Sequence, residues 1–336
     1  MARTAKHRRP GSARPPAATG RSTASGSGKA PLWTAQDTRT ALRLPFTLAM
    51  AVLLPENRRH DLLRRLVAIK VARRPLSVRL AERLLVPVFT VRRTIGDRTR
   101  FLTDLLFENE LARLALFLRY RRRAPEPDIR VEGGEAVAAA LAAGRGAILW
   151  VAPMAHASLV AKMAWHRRGW MVSHLSRYSH GSSSSRLGAR LLNPFVCRVE
   201  DRYLAERVRM RRDEPAAVAV RVLRRRLREN RLVSITALPG QGENARPSFL
   251  GARIRLSLGP PRLAAGVNAA LLPVFCWRED TDRFVVRIDP PLSLDAGPET
   301  ATEAFARAFG ALLERFPTQI AWPTAVGLFG EADEVP

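Results

Sequence analysis

The spacing of hydrophobic residues predicts helices throughout residues 37–123. Apolar side chains recur there every three or four positions, with arginines between them. Four positions with this spacing are Leu62, Leu63, Leu66 and Ile69. Proline lacks an amide donor and is disfavoured inside a helix, so Pro55, Pro75 and Pro87 are expected to divide the region into short helices. The sequence therefore predicts an N-terminal helical region.

Two segments of this region are typical of helices that lie on a membrane surface. Residues 44–54 are eleven uncharged residues, which suits an interfacial or re-entrant helix, because a spanning helix needs about 20 apolar residues. Residues 97–120 carry a broad apolar face and are followed by three arginines. Such a basic amphipathic helix lies on a membrane or packs on a partner domain, and packing in the core of this chain is an equal alternative.

After residue 124 the pattern changes to an alternation of strands and helices, which is typical of an α/β fold. Short apolar runs predict strands at residues 147–152, 170–173, 232–237, 271–277 and 284–288. Amphipathic spacing predicts helices at residues 157–166, 216–229 and 300–315. We therefore expect one α/β domain over residues 125–326, which is long enough to enclose a sizeable core.

The chain is strongly basic, with 56 lysines and arginines against 30 acidic residues and a net charge of +26. Only four of the basic residues are lysine. A preference for arginine over lysine is typical of a GC-rich genome, so part of the excess of basic residues reflects codon usage. Residues 1–30 are basic and rich in small residues, which predicts a disordered tail. The positive field attracts phosphate on nucleic acid or on anionic lipid. Nucleic acid is not expected as a partner, because the few aromatic residues are not interleaved with the arginine clusters.

Several classes of chemistry are excluded by missing residues. Two cysteines, Cys197 and Cys276, are too few for a disulfide scaffold or a cysteine zinc site, and no metal is expected. The sequence has no phosphate-binding loop, no G-x-S-x-G elbow, no H-E-x-x-H helix and no dinucleotide fingerprint. With so few cysteines a reduced protein facing the cytosol is expected, and the N-terminus shows no apolar segment of a secretory signal.

His156 is the best single candidate for a catalytic residue. It follows the buried strand predicted at residues 147–152 and precedes a predicted helix. In α/β folds the carboxyl ends of strands are where sites are built. A structural role is the alternative, since an isolated histidine is more often structural than catalytic.

An ordered series of segments resembles a known family. The segments are residues 129–133 (IRVEG), 144–148 (GRGAI), 246–251 (RPSFLG), 259–264 (GPPRLA), 269–275 (AALLPVF), 286–292 (VRIDPPL) and 322–323 (WP). In order and spacing they resemble the late acyltransferases of lipid A biosynthesis, the lauroyl/myristoyl type within the lysophospholipid acyltransferase superfamily. The resemblance covers roughly residues 40–325.

The resemblance implies a mixed-sheet, glycerolipid-acyltransferase-like α/β domain preceded by a helical membrane-docking region. It implies transfer of a fatty acyl chain from acyl carrier protein or coenzyme A to a hydroxyl of a lipid, either a lipid A precursor in lipopolysaccharide synthesis or a lysolipid. The thioester is a donor substrate, and no further cofactor is expected. The partners would be membrane lipids and the acyl carrier, at the cytoplasmic face of the bacterial inner membrane.

In this family a histidine begins an H-x-x-x-x-D/E motif, in which the imidazole takes the acceptor's proton and the carboxylate orients it. His156 matches the histidine, but the acid position holds Ala161. Three interpretations follow. A carboxylate such as Glu200, Asp201 or Glu243 reaches His156 in space; His156 acts alone or through a water; or the protein binds lipid without turnover. The last predicts a pocket with no carboxylate within hydrogen-bond reach of His156.

The other positions that the resemblance implies are candidates for substrate binding. Phe249 and Gly251 match a Phe-Phe-Gly element that would shape the pocket, with a packed turn as the alternative. Arg186 stands where the family tends to keep a basic residue for phosphate or sugar. Glu243 and Arg246 complete the predicted substrate-binding set. For each arginine the alternative is an ordinary solvated side chain.

Overall fold

The computed structural model describes residues 31–91, 95–120 and 126–330, apart from residues 178, 179, 182, 184, 212, 213 and 323. The basic tail predicted at residues 1–30 lies outside the described residues. None of the helices in the described ranges is both long enough and apolar enough to cross a membrane.

Four helices form the N-terminal region, as the hydrophobic spacing predicts. They are α1 (Ala35–Leu53), α2 (Glu56–Ala72), α3 (Leu76–Val91) and α4 (Arg98–Tyr120). Pro55 caps α2 and Pro75 precedes α3, so both prolines do divide the region. The expectation for Pro87 is wrong, because it lies inside α3. A proline inside a helix costs about 3 kcal/mol, and the burial of neighbouring Leu85 and Phe89 offsets that cost.

Helix α4 belongs to the core, which decides between the two interpretations of residues 97–120. Phe101, Leu105 and Leu114 are each at most 3% exposed. The side chain of Asn109 joins α4 to the C-terminal segment: its amide donates to the Ile320 carbonyl at 3.0 Å, and its oxygen accepts from the Trp322 amide at 2.6 Å. Helix α4 is therefore held against the α/β part of the chain.

A seven-stranded mixed sheet carries the rest of the fold, in the order β1-β11-β10-β2-β5-β3-β4. The strands are β1 (Asp128–Glu132), β2 (Ala147–Val151), β3 (Val172–Ser176), β4 (Glu206–Arg209), β5 (Leu232–Thr236), β10 (Ala270–Arg278) and β11 (Arg283–Ile288). All neighbours are parallel except β10 and β11. The carboxyl ends of β2, β3, β4, β5 and β10 therefore meet at one edge of the sheet.

The remaining elements cover the sheet and connect its strands. The helices are α5 (Gly134–Ala142), α6 (Ala157–Arg167), α7 (Arg186–Leu191), α8 (Asn193–Glu200), α9 (Ala216–Arg228), α10 (Gly259–Ala265), α11 (Pro298–Arg315) and α12 (Thr324–Phe329). Four two-residue strands form two small hairpins, β6 (Asn244–Ala245) with β9 (Leu256–Ser257) and β7 (Ser248–Phe249) with β8 (Ala252–Arg253). Every strand and helix predicted for this region is present, with boundaries shifted by up to three residues.

A buried polar contact joins α1 to α7. The Asp37 carboxylate on α1 is fully buried, and hydrogen bonds from Ser183, Thr34 and Ser185 outweigh the effect of burial and lower its pKa to about 2. Gly188 of α7 lies so close to Asp37 Oδ1 and Ser183 Oγ that a Cβ would clash with both.

Gly188→Ala should therefore lower the free energy of unfolding by about 1–3 kcal/mol through overpacking. Denaturant titration followed by circular dichroism measures the change. Gly242→Ala is the matched control, because nothing lies within 4 Å of the added methyl. Equal stability of the two variants would contradict the close packing of α7 on α1.

Candidate active site

A cavity of about 110 Å³ opens between α4, α6 and the start of β11. Its walls are mostly apolar, and the walls from α4, α6 and β11 include Leu111, Leu114, Leu118, Leu159, Met163 and Phe284. Polar side chains line it as well, and Glu56, Arg59 and His60 of α2 border it; the polar set is Arg119, His156, Ser158, Arg278, Thr281 and Asp282. The cavity thus combines a hydrophobic wall with an imidazole.

His156 lies where the sequence predicts, between a buried strand and a helix. Every residue of β2 is buried, and His156 follows this strand at the N-cap position of α6. The segment that carries it is held in place because the Ala155 amide donates to the Gln319 carbonyl at 2.7 Å. The side chain of His156 is only 4% exposed. The imidazole is therefore held rigidly at the carboxyl edge of the sheet.

The carboxylate partner of His156 is Glu108, which comes from α4. His156 Nε2 and Glu108 Oε2 are 3.0 Å apart, although the two residues are 48 positions apart in the sequence. Ala161, five residues after His156, is fully buried and supplies no polar group. The structure thus contains a histidine–carboxylate pair without the contiguous motif, and Glu108 is the partner that the sequence interpretation missed.

Arg278, at the end of β10, holds the other side of Glu108. Its Nε donates to Glu108 Oε2 at 3.0 Å and its Nη2 donates to Oε1, so the guanidinium binds the carboxylate through both oxygens. Burial would raise the pKa of Glu108, but hydrogen bonds with His156 and Arg278 outweigh burial and lower the pKa to about 2. Glu108 is therefore an anion at any physiological pH.

This arrangement determines which nitrogen of His156 is the base. An ionised carboxylate only accepts hydrogen bonds, so Nε2 carries the proton that Glu108 receives. Neutral imidazole has one protonated nitrogen, which leaves the Nδ1 lone pair free to accept a proton. Glu108 then stabilises the imidazolium that forms. The pair can act as a general base toward a hydroxyl in the cavity.

Glu200, Asp201 and Glu243, the carboxylates expected to reach His156, have other partners. Oε2 of the fully buried Glu200 accepts from Lys162 Nζ at 2.6 Å and from Arg207 Nη2 at 2.8 Å, and lies 2.8 Å from His180 Nε2. Asp201 accepts from Arg207, and the exposed Glu243 pairs with Arg262 at 2.6 Å. Glu200, Asp201 and Glu243 are all absent from the described residues that line the cavity. The expectation is wrong because each carboxylate has nearer cations.

The Phe-Phe-Gly-like element forms a packed turn. The ring of Phe249 is 2% exposed and lies 5.3 Å from the ring of Phe309 and 5.7 Å from that of Phe329. Gly251 has a φ of +83° between β7 and β8, a conformation that glycine adopts without strain. Neither residue lines the cavity around His156 in the described structure.

The predicted substrate-binding arginines also lie away from this cavity. Arg186 is the exposed first residue of α7, and Arg246 is exposed beside the small hairpins. A role in binding for either residue, or for Glu243, stays a prediction. Over the described ranges no three histidine, cysteine, aspartate or glutamate side chains cluster closely enough to hold a metal ion.

Low pH should lower the free energy of unfolding, because Glu108 becomes protonated. Its pKa falls from 4.5 in the unfolded chain to about 2 in the folded one, so the stabilisation is present above pH 4.5 and disappears as pH falls toward 2. The shift corresponds to about 3 kcal/mol. In denaturant titrations the stability difference between wild type and Glu108→Gln should shrink over this range. Glu110→Gln is the control and should follow wild type; a difference for Glu108→Gln that does not change with pH would contradict the assignment.

Comparison with known proteins identifies the family. A family model described as bacterial lipid A biosynthesis acyltransferase matches residues 110–323. The phosphatidylinositol mannoside acyltransferase of Mycolicibacterium smegmatis is 37% identical over 100 residues, which cover 29% of this chain and 32% of that protein. The protein of that name in Mycobacterium tuberculosis is 28% identical over 205 residues, 60% of each chain.

These alignments span less than two thirds of either relative. The matched range includes His156 and Arg278 and begins two residues after Glu108. The matched range nevertheless covers well over half of the sequence. The chain belongs to the bacterial lipid A biosynthesis acyltransferase family.

Proposed function

We propose that this protein transfers a fatty acyl chain from a thioester donor to a hydroxyl of a membrane lipid, with His156 as the general base. The observation that carries the proposal is the 3.0 Å pair of His156 and Glu108 beside an apolar cavity. The donor would be acyl carrier protein or coenzyme A carrying the acyl chain, with no other cofactor. The apolar wall suits a hydrocarbon chain, because burial of each methylene contributes about 0.8 kcal/mol.

The chemistry follows from the two nitrogens of His156. Nδ1 takes the proton of the acceptor hydroxyl as the oxygen attacks the thioester carbonyl. The tetrahedral intermediate then collapses, the carbon–sulfur bond breaks, and the imidazolium returns the proton to the leaving sulfur. The products are the acylated lipid and a free thiol. Glu108 balances the positive charge of the imidazolium between these two steps.

The start of α6 is placed to stabilise the negative charge on the intermediate. The first amides of a helix have no partner within the helix, and the helix dipole adds positive potential there. Ser158, in the first turn of the eleven-residue α6, lines the cavity beside His156. Its amide is a candidate oxyanion donor.

The acceptor that the comparisons favour is a glycolipid. The relatives are named for phosphatidylinositol mannosides and the family for lipid A. Both names describe sugar-bearing lipids with free hydroxyls and a negatively charged phosphate. We therefore propose an acceptor of this class, with a lysolipid as a further candidate, and a peripheral location at the cytoplasmic face of the bacterial inner membrane.

A second candidate function is lipid binding without turnover, as expected for a family member that has lost its motif acid. That function predicts no carboxylate within reach of His156. Glu108 lies at 3.0 Å and is held ionised by Arg278, so the geometry favours catalysis.

Mass spectrometry of total lipids tests the proposal. A host expressing the wild type should accumulate an acylated lipid that is absent from a host expressing His156→Ala. Purified wild type should also release free thiol from acyl-coenzyme A or acyl carrier protein when given the extracted acceptor lipids. Full turnover in a folded His156→Ala protein would remove the assigned role, and absence of turnover in the wild type with both donors would favour lipid binding alone.

A further inference from the structure

Residues 319–322 lie behind the candidate active site. They begin at the end of a short 3₁₀ turn, Pro317–Gln319, that follows α11. Gln319 is 8% exposed and Ile320 is fully buried. None of the four is among the described residues that line the cavity around His156. Their hydrogen bonds nevertheless reach each of the three elements that carry the histidine, its carboxylate and the arginine.

The first contact fixes the residues that precede His156. Two backbone hydrogen bonds, of 2.7 and 2.8 Å, join residues 153–155 to residues 319–321. An antiparallel β-bridge between Met154 and Ile320 lies between these two bonds. Because the buried backbone groups on both sides are paired with each other, the start of the helix that carries the imidazole is fixed relative to this segment.

The second contact is between the Gln319 side chain and the backbone of Arg278. The Arg278 amide donates to Gln319 Oε1 at 2.7 Å, and Gln319 Nε2 donates to the Arg278 carbonyl at 2.8 Å. Strand β2 pairs with β10 only as far as Val274, so the backbone of β10 beyond this residue needs other partners. Gln319 supplies the donor and the acceptor that a neighbouring strand would supply, and so fixes the backbone that carries the Arg278 guanidinium.

The third contact joins the segment to α4 through Asn109, the residue after Glu108. The Asn109 amide donates to the Ile320 carbonyl at 3.0 Å, and its oxygen accepts from the Trp322 amide at 2.6 Å. The same amide donates to the Leu105 carbonyl at 2.9 Å, so the side chain is held by its own helix as well. These bonds fix the part of α4 that carries the carboxylate.

The three contacts give remote parts of the sequence a common reference point. Glu108 is 48 positions from His156 and 170 from Arg278, so no local spacing sets the distances among them. Catalytic groups work only when they are held within about 0.5 Å of the productive geometry, and a misplacement of about 1 Å costs about 10²-fold in rate. Four of the hydrogen bonds described above involve the amide side chains of Gln319 and Asn109.

We propose that Gln319 and Asn109 are positioning residues for acyl transfer. They hold the imidazole of His156, the carboxylate of Glu108 and the guanidinium of Arg278 in contact. Neither Gln319 nor Asn109 is among the described residues that line the cavity, so both act through the pair and not on the substrate. The inference rests on the proposed function, because it takes the pair to be the general base.

Steady-state release of thiol from the acyl donor tests this role. In Gln319→Met, which keeps the length of the side chain, kcat should fall about 10²-fold with KM nearly unchanged. Asn109→Leu should lower kcat as well, and this half-buried position provides a second variant if Gln319→Met does not fold. Circular dichroism confirms that each variant is folded. A wild-type kcat in either folded variant would overturn the proposal.

Asn193 provides the matched control. Its buried side chain binds the amide and the carbonyl of Ser183 at 2.8 and 2.7 Å, which is the same two-way contact that Gln319 makes with Arg278. Asn193 is absent from the described wall of the cavity. Asn193→Leu should therefore destabilise the fold and retain the wild-type kcat. An equal loss of kcat in Asn193→Leu and Gln319→Met would overturn the proposal, because both losses would then follow from stability alone.

A double-mutant cycle separates positioning of the pair from general structural support. If Gln319 acts through Glu108, the double variant Glu108→Gln/Gln319→Met should be no slower than Glu108→Gln alone. If the two losses of kcat multiplied, Gln319 would act independently of the pair and the proposal would be wrong.

Nitrogen-15 NMR of the histidine side chains gives a readout that needs no turnover. At alkaline pH the wild-type His156 signal, assigned by its loss in His156→Ala, should show a proton on Nε2 and none on Nδ1. Gln319→Met should show both tautomers, and Asn193→Leu should match wild type. An unchanged His156 signal in Gln319→Met would overturn the positioning role. The expected change of tautomer in a protein whose wild type releases no thiol from either donor would support the positioning and overturn the proposed function.

Discussion

Glu108→Gln should lower kcat for acyl transfer by about 10²–10⁴, the usual contribution of a general base and its orienting carboxylate. Glutamine cannot balance the charge of an imidazolium, and its amide can donate to Nε2, which would leave the proton on Nδ1 where the base is needed. The loss should appear in kcat with little change in KM, because the interaction strengthens only as the imidazolium forms.

Single-turnover measurement of thiol release from the acyl donor gives this rate directly. Glu110→Gln is the matched control, since Glu110 lies on the same helix and pairs with Lys70 and Arg113 instead. Glu108→Asp retains the charge and should recover part of the rate. An unchanged kcat in a folded Glu108→Gln protein would show that His156 works without this carboxylate.

Glu200→Ala should destabilise the protein by about 3–5 kcal/mol, because it leaves cations buried without their partner. Lys162 and the side chain of Arg207 are both almost fully buried, and both bond to Glu200. The free energy of unfolding from urea titration measures the effect. Removing two charges together, in Lys162→Met/Glu200→Met, should cost less than Glu200→Ala.

An exposed ion pair provides the comparison for this experiment. Glu229 pairs with Arg225 and Arg226 near the surface, so Glu229→Ala should cost less than about 1 kcal/mol. If Glu200→Ala were no more destabilising than Glu229→Ala, the buried cluster would contribute little to the fold.

The local pattern of the sequence predicted five of the seven strands of the large sheet. Strands β2, β5 and β10 are buried on both faces, and their continuous apolar runs identify them. Strands β1 and β4 were missed because they lie at the two edges of the sheet and lack an apolar run: three residues of DIRVE and three of ERVR are charged. Pro87 shows where a local rule fails. The rule ends a helix at a proline, but α3 continues through Pro87 because the side chains on either side of it are buried in the core.

The candidate site was only half predictable. His156 was found because its position depends on one strand and one helix that are adjacent in the sequence. Glu108 depends on how α4 docks against the sheet, which no spacing rule describes. One signal was present: Glu108 lies three residues after Leu105 and three before Leu111, so it places a charge on an otherwise apolar helix face. A buried charge of this kind requires a partner.

Because the His156–Glu108 pair is divided between two helices, it does not depend on the spacing of two residues along one helix. In a contiguous motif the acid is tied to one register on the helix that carries the histidine. Here the requirement is a point in space beside Nε2, and any element that packs there can satisfy it. Residue 161 need not be acidic for the pair to form, and a search for the contiguous motif would reject the chain although its structure holds the pair.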